Sequence, residues 1–290
     1  MDAYTAFSKV YDKLMENIPY ELWADRIDGW IREYGISKPV RDASDPLESE
    51  RNLVLDLGCG TGVLTRLMYN KGYDLIGVDI SAEMLDVARQ KEPENGDSPI
   101  LYICQDMCEL DLYSTIGTVY SSCDSINYLL EDEEVKACFD GVSKFLYPGG
   151  LFIFDFNTVY KYRDVIGETT IAENAGDVSF IWENCFDDES HVNECDLTLF
   201  IRDEDNSTEN ELYIKQEETH YQRGFTLDEM RDFLEKSGLS LVKAVDEREI
   251  LGEAAPLENA ERTSDDENRN IPFENAERIF IIARKTKEEI

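Results

Sequence analysis

Residues 54–62 read Val-Leu-Asp-Leu-Gly-Cys-Gly-Thr-Gly, an apolar run that ends in an acid and then breaks into glycines at alternate positions. No other stretch restricts the possible folds so strongly. The spacing predicts a buried parallel strand, a tight turn and a helix. Gly58 and Gly60 lack a Cβ, so the backbone there can take positive φ and approach a ligand closely. Gly62, Val63 and Leu64 open a helix whose first amides face that ligand. The stretch is a nucleotide-type cofactor loop.

Spacing separates the cofactors. A dinucleotide fingerprint reads GxGxxG, its third glycine packing helix on strand. Here that position is Val63, and the third glycine falls one residue early. Asp56, two residues before Gly58, would repel a pyrophosphate and favours a cofactor with a positively charged end. The sequence Asp56-Leu57-Gly58-Cys59-Gly60-Thr61-Gly62 resembles motif I of the class I S-adenosylmethionine-dependent methyltransferases, whose cofactor carries an ammonium and a sulfonium. Two other readings stay open at this point. One is a methyltransferase-like protein that binds cofactor for regulation without turnover; the other is a nicotinamide-dependent oxidoreductase, which Val63 and Asp56 disfavour.

The resemblance continues along the chain. Apolar and aromatic residues at Tyr4, Phe7, Tyr11, Leu14, Trp23, Ile27, Trp30 and Ile31 predict two amphipathic helices within residues 1–36, broken near Pro19. In the family it resembles, a Y-x-x-F-x-x-x-Y-D opening folds over the cofactor cleft, which implies Tyr11 and Trp23 near the methionine end. Residues 74–79 form a second apolar strand ending in Asp79, an acid at the position that accepts both ribose hydroxyls in nucleotide folds. Ser81 is the predicted cap of the next helix, with Ile80 and Met84 against adenine. After a third strand at 100–104, the resemblance gives Asp106 the adenine amine and Met107 the ring. Asp124-Ser125-Ile126-Asn127-Tyr128-Leu129 follows the fourth strand at the position of motif IV, which implies Asp124, Asn127 and Tyr128 at the reaction centre. Residues 151–157 are a fifth buried strand. Strands alternating with helices imply a doubly wound, Rossmann-like seven-stranded α/β sheet, with residues 52–160 as its cofactor-binding core and 225–290 as its C-terminal part. Thr226 and Glu229 predict a capping box at the head of a helix that stops at Gly238.

Between these parts the period changes. Residues 177–221 alternate as strands without a helical segment, which predicts an inserted antiparallel β-sheet lid. In the group this resembles, such a sheet roofs the active site. Residues 239–245 and 279–283 are the last strands, forming a hairpin-like edge, and the acidic segment 246–275 between them reads as a surface loop.

Charge and cysteine usage bound the function. A formal net charge of −35 opposes binding to nucleic acid, which needs cations to displace counterions from phosphate; the expected partner is a small-molecule acceptor, an amine or other cation suiting the acidic field. Seven cysteines without a CxxC pair, and histidines without zinc spacing, read as a reduced, metal-free protein. The absence of a leader-like opening or a long apolar run leads to the expectation of a cytoplasmic protein not bound to membranes. For a nucleophile that must lose a proton, the candidate bases are Asp124, Tyr128, His220 and Tyr221. His191, in an acidic turn, reads as solvated.

Overall fold

The structure, a computed structural model, describes residues 7–40, 49–92, 100–203, 212–252 and 273–286. Tyr4 and most of the acidic segment 246–275 lie outside the described residues. Helices α1 (Phe7–Leu14) and α2 (Tyr20–Tyr34) open the chain, with Pro19 at the head of the second as its spacing predicts. A single turn, α3 (Ser49–Asn52), leads into β1 (Leu53–Leu57), followed by α4 (Val63–Asn70), β2 (Asp74–Asp79), α5 (Ala82–Gln90), β3 (Leu101–Cys104), β4 (Ile116–Ser121), α6 (Asp132–Phe145) and β5 (Leu146–Asn157). Four consecutive strands come next: β6 (Thr170–Asn174), β7 (Val178–Asp187), β8 (Val192–Arg202) and β9 (Tyr213–Arg223). The chain then forms α7 (Leu227–Lys236), β10 (Leu239–Asp246), α8 (Glu247–Leu251) and β11 (Arg278–Lys285).

Seven strands form one sheet in the order β10-β11-β5-β4-β1-β2-β3, in which only β11 runs against its neighbours. Such a sheet is buried on both faces, so its central strands are mostly apolar, with a few buried polar residues such as Asp56, Thr118 and Asp155. On one face, Phe139 of α6 packs edge-on against Phe152 and Phe154 of β5, at 5.2 Å from each ring. On the other, Trp23 of α2 meets Phe280 of β11 at 5.4 Å. The last two strands form the expected antiparallel edge, β10 outermost and paired along its length with β11. β11 is inserted between β5 and β10, because its first six residues, Arg278 to Ala283, are buried and need cover on both sides.

The second sheet is antiparallel, in the order β6-β7-β8-β9. It includes β6, which sequence alternation missed because every residue of that edge strand is exposed. Val178 of β7 with Leu197 and Leu199 of β8 packs on Val10 and Leu14 of α1, so the first helix lies beneath this sheet. The predicted caps are present: Ser81 Oγ accepts from Met84 N at 3.2 Å, and Thr226 with Glu229 forms a reciprocal box. Among the described residues no helix is long and apolar enough to cross a membrane.

Candidate active site

The sheet order reverses between β1 and β4, and the loops leaving the carboxyl ends of these neighbours flank a common crevice, where open α/β sheets bind ligands. After β1, Gly58, Gly60 and Gly62 all take positive φ, at +77°, +53° and +72°. The turn is stitched to β2: Gly58 N and Cys59 N donate to Val78 O at 2.7 and 2.9 Å, and Gly60 N donates to Asp79 Oδ2 at 2.7 Å. Asp79 Oδ1 accepts from Ser81 N at 2.9 Å. Burial raises the pKa of Asp79, opposed by these backbone donors. A Cβ on Gly60 would meet nothing within 4 Å, which leaves bare backbone facing the crevice; one on Gly58 would strike Ser125 Oγ at 2.7 Å.

After β4 the chain turns through two non-glycine residues at positive φ, Cys123 at 59° and Asp124 at 53°, a conformation that costs roughly 1–2 kcal/mol per residue. Polar contacts hold this turn. Asp124 N donates to Asp155 Oδ2 at 3.1 Å, its Oδ1 accepts from Arg278 Nη2 at 2.8 Å and its Oδ2 from Gln222 Nε2 at 2.7 Å. Arg278 also pairs with Asp155 through Nη1. Burial pushes the Asp124 pKa up, but Arg278 and Lys161 outweigh it and hold the carboxyl below its ordinary range.

These two loops, α1 and the inner face of the second sheet enclose a cavity of about 450 Å³. Gly58, Gly60, Asp79, Ile80, Met84, Asp106 and Met107 border one half; Tyr11, Tyr20, Asp124, Tyr128, Trp182 and His220 border the other. Ile80 is 64% exposed, an apolar surface left open at the rim. Asp106 Oδ1 accepts from Cys108 N at 2.8 Å. The Tyr128 and His220 rings meet edge to face at 6.2 Å, and His220 Nε2 lies 3.5 Å from Glu218 Oε2. Asp12, next to Tyr11, ties α1 to the glycine turn: it accepts from Thr61 Oγ1 and, at 2.5 Å, from Lys91 Nζ.

Four sequence expectations change. Trp23 does not border the cavity; it is 1% exposed, packed on Phe280 with the Arg278 guanidinium 5.1 Å from its ring. Its spacing marked a helix face, and that face is turned to the sheet. Asn127 is fully buried and clasps main chain, donating to Asn157 O at 2.9 Å and Arg223 O at 2.7 Å while accepting from Asn157 N. Asp56 borders the floor, yet its Oδ2 accepts from Thr65 Oγ1 at 2.6 Å and Tyr120 Oη at 3.0 Å. Burial pushes its pKa up to about 7, against those hydrogen bonds, so its countercharge is only partial at neutral pH. Tyr221 is 44% exposed on the outer face. Sequence reasoning missed Arg278, Tyr162 and Gln222; only Gln222 carried a signal, sharing the strand parity of His220.

The donor set fits S-adenosylmethionine: bare backbone at Gly60, a carboxylate at the tip of β2, an apolar rim at Ile80 and Met107, and the Asp124 carboxylate on the loop after β4. The comparisons agree. Residues 54–150 match a family described as "Methyltransferase domain". The chain is 30% identical over 283 residues to a Geobacillus sp. (strain WCH70) protein named "Putative methyltransferase", covering 97% of this chain and 99% of the relative. It is 30% identical over 285 residues to "Putative methyltransferase YqeM" of Bacillus subtilis (strain 168), covering 98% of each. A solved S-adenosylmethionine-dependent methyltransferase from Clostridium acetobutylicum ATCC 824 superposes with a TM-score of 0.75 at 26% identity, over 98% of this chain and 100% of that one. These relatives overturn the nicotinamide reading of the glycine loop. With the loop geometry and the sheet order, they show that the chain belongs to the S-adenosylmethionine-dependent methyltransferases and takes S-adenosylmethionine as its cofactor.

Proposed function

We propose that the protein methylates a small-molecule amine by in-line displacement in the cleft between its two sheets. The observation that carries this is the character of the walls: the described residues bordering the cavity include Tyr11, Tyr20, Tyr128, Phe180 and Trp182 with several carboxylates, and no lysine or arginine. An anionic acceptor would be buried there without a countercharge, at a cost of several kcal/mol. A cationic or neutral amine gains from ring faces and carboxylates instead. The overlying sheet favours a small molecule over a macromolecular surface.

In this reading Asp79 holds the ribose hydroxyls, Ile80, Met84 and Met107 take the adenine ring, Asp106 takes its amine, and Gly58 and Gly60 let the main chain come close. Tyr11 closes the methionine end from above and Asp56 lies beneath it. The chemistry that S-adenosylmethionine supplies is an activated methyl group. The residues of the acceptor half need only align the nucleophile with it, which in well-oriented systems contributes about 7–11 kcal/mol. The amine must also lose a proton. Asp124 is a poor acceptor for it, because both oxygens are engaged and Arg278 keeps the group ionised. The role falls to His220, whose Nε2 lies 3.5 Å from Glu218 Oε2 and whose ring meets that of Tyr128 edge to face.

The test is formation of S-adenosylhomocysteine with separated pools. Turnover is expected with dialysable amines, and His220→Gln should lower it by about 100-fold or more with S-adenosylhomocysteine affinity retained. Turnover confined to anionic metabolites or to the protein fraction would sink the proposal.

A further inference from the structure

We infer that Gln222 registers the second sheet over the reacting centre, which makes Asp124 a fixed anionic post and Gln222, Tyr162 and Asn157 positioning residues for the acceptor half. A continuous chain of hydrogen bonds carries this. Asn157 Nδ2 donates to the Tyr162 hydroxyl at 2.9 Å, that hydroxyl donates to Gln222 Oε1 at 3.0 Å, and Gln222 Nε2 donates to Asp124 Oδ2 at 2.7 Å. Asn157, Tyr162 and Gln222 are all buried. The chain joins the end of β5, the π-helical turn at residues 161–166, β9 and the strained turn after β4.

The chemistry of the position is demanding. A primary amide presents one donor end and one acceptor end, and the two neighbours of Gln222 use opposite ends: the ionised carboxylate can only receive, and the Tyr162 hydroxyl, already accepting from Asn157, has its one proton to give. Arg223, the next residue, clamps the strand at the outer rim through Asp132 at 2.7 Å and Glu229 at 3.0 Å, which fixes where β9 ends. Gln222 fixes how its inner face sits, and His220 lies on the same face two residues away. The charged and titratable groups around it are Asp124 and Arg278 from the core, Asp155 behind Arg278, Lys161 on Asn157 Oδ1 at 3.1 Å, Tyr162, and His220 with Glu218 on its own strand. The inference rests on the cleft being the reaction chamber. Its test uses no acceptor, so failure of the amine reading would leave the result unchanged.

The experiment measures amide hydrogen-exchange protection in the full chain with S-adenosylhomocysteine, for wild type, Gln222→Leu and Gln222→Glu. At neutral pH both variants should lose roughly tenfold in protection across β7, β8 and β9, while β1 and β11 stay protected and the ligand still raises the unfolding temperature. In Gln222→Glu, acidification toward the usual glutamate range of about 4–5 should restore that protection. A protonated carboxyl again offers a donor to Asp124 and a carbonyl to Tyr162, and the Asp124 charge favours that protonation. Gln222→Leu should stay unprotected at both pH values. Wild-type protection in Gln222→Leu, no acid rescue in Gln222→Glu, or loss of core protection and of the ligand effect together would each overturn the inference.

Discussion

Gly58 and Gly60 share a left-handed backbone, yet substitution should fail in different ways. A Cβ on Gly58 strikes Ser125 Oγ at 2.7 Å, whereas one on Gly60 meets nothing within 4 Å. Both alanine variants carry the left-handed cost of roughly 1–2 kcal/mol. Gly58→Ala should lose further stability in thermal unfolding by pushing the β4 turn away. Gly60→Ala should keep its stability close to that left-handed cost and lose cofactor instead, because its methyl projects into the crevice; equal calorimetric affinity of wild type and Gly60→Ala for S-adenosylhomocysteine would refute this. Asp79→Asn tests the second strand tip. Its carboxylate accepts from Gly60 N and Ser81 N, and removing a charged acceptor should weaken S-adenosylhomocysteine binding by about 1.5–3 kcal/mol. An unchanged dissociation constant with an intact fold would remove Asp79 from the ribose site.

At the scale of elements, α1 is the piece that both halves of the molecule share. Its apolar side packs on β7 and β8 through Val10 and Leu14, while Asp12 holds it to Thr61 of the glycine turn and Lys91 after α5. Eight residues are too few for an independently stable helix. Its position therefore depends on these contacts. Asp12→Ala should release its inner end, weakening cofactor binding by about 1–2 kcal/mol and speeding hydrogen exchange within residues 7–14, with little change in the unfolding of the seven-stranded sheet. A large drop in unfolding temperature would show that α1 belongs to the core instead. The Tyr-Asp pair was visible in the sequence; that the aspartate is a tie was not, because its partners lie 49 and 79 residues away.

For the whole molecule, a formal charge of −35 means that self-repulsion opposes the compact state and salt should stabilise it. Asp56 adds a separate pH effect. Its folded-state pKa is raised, from 3.8 to about 7, so the folded state holds a proton that the unfolded chain releases. Its contribution is thus full below about 3.8 and is lost as pH rises through about 7. Relief of repulsion acts in the same direction, but salt screens it, whereas burial at 2% exposure shields Asp56 from salt. At high salt the wild-type unfolding temperature should still fall from weakly acidic to neutral pH, and Asp56→Asn, whose carbonyl can keep both Thr65 and Tyr120 as donors, should be flatter. Parallel pH profiles for the two proteins would exclude Asp56 as the source.

By itself the sequence determined whatever depends on local period and local chemistry. The run at 54–62 specified a strand, a turn and a helix because only glycine accepts those dihedrals at low cost, and acids at the tips of successive apolar strands put Asp79 and Asp106 on one sheet edge. The switch to two-residue alternation revealed the second sheet, though not its exposed edge strand β6. Tertiary structure decided which way side chains on a known element point and what they meet. Helical spacing could not tell whether Trp23 faced the cleft or Phe280, and strand order could not be read from residues 278–285, which insert between β5 and β10. The same limit applies to Asn127, Asp124 and Gln222, whose partners lie 30 to 154 residues away. Hydrogen bonds across such separations leave no periodic trace, because the register that creates them is set by packing the sheets together rather than by neighbours along the chain.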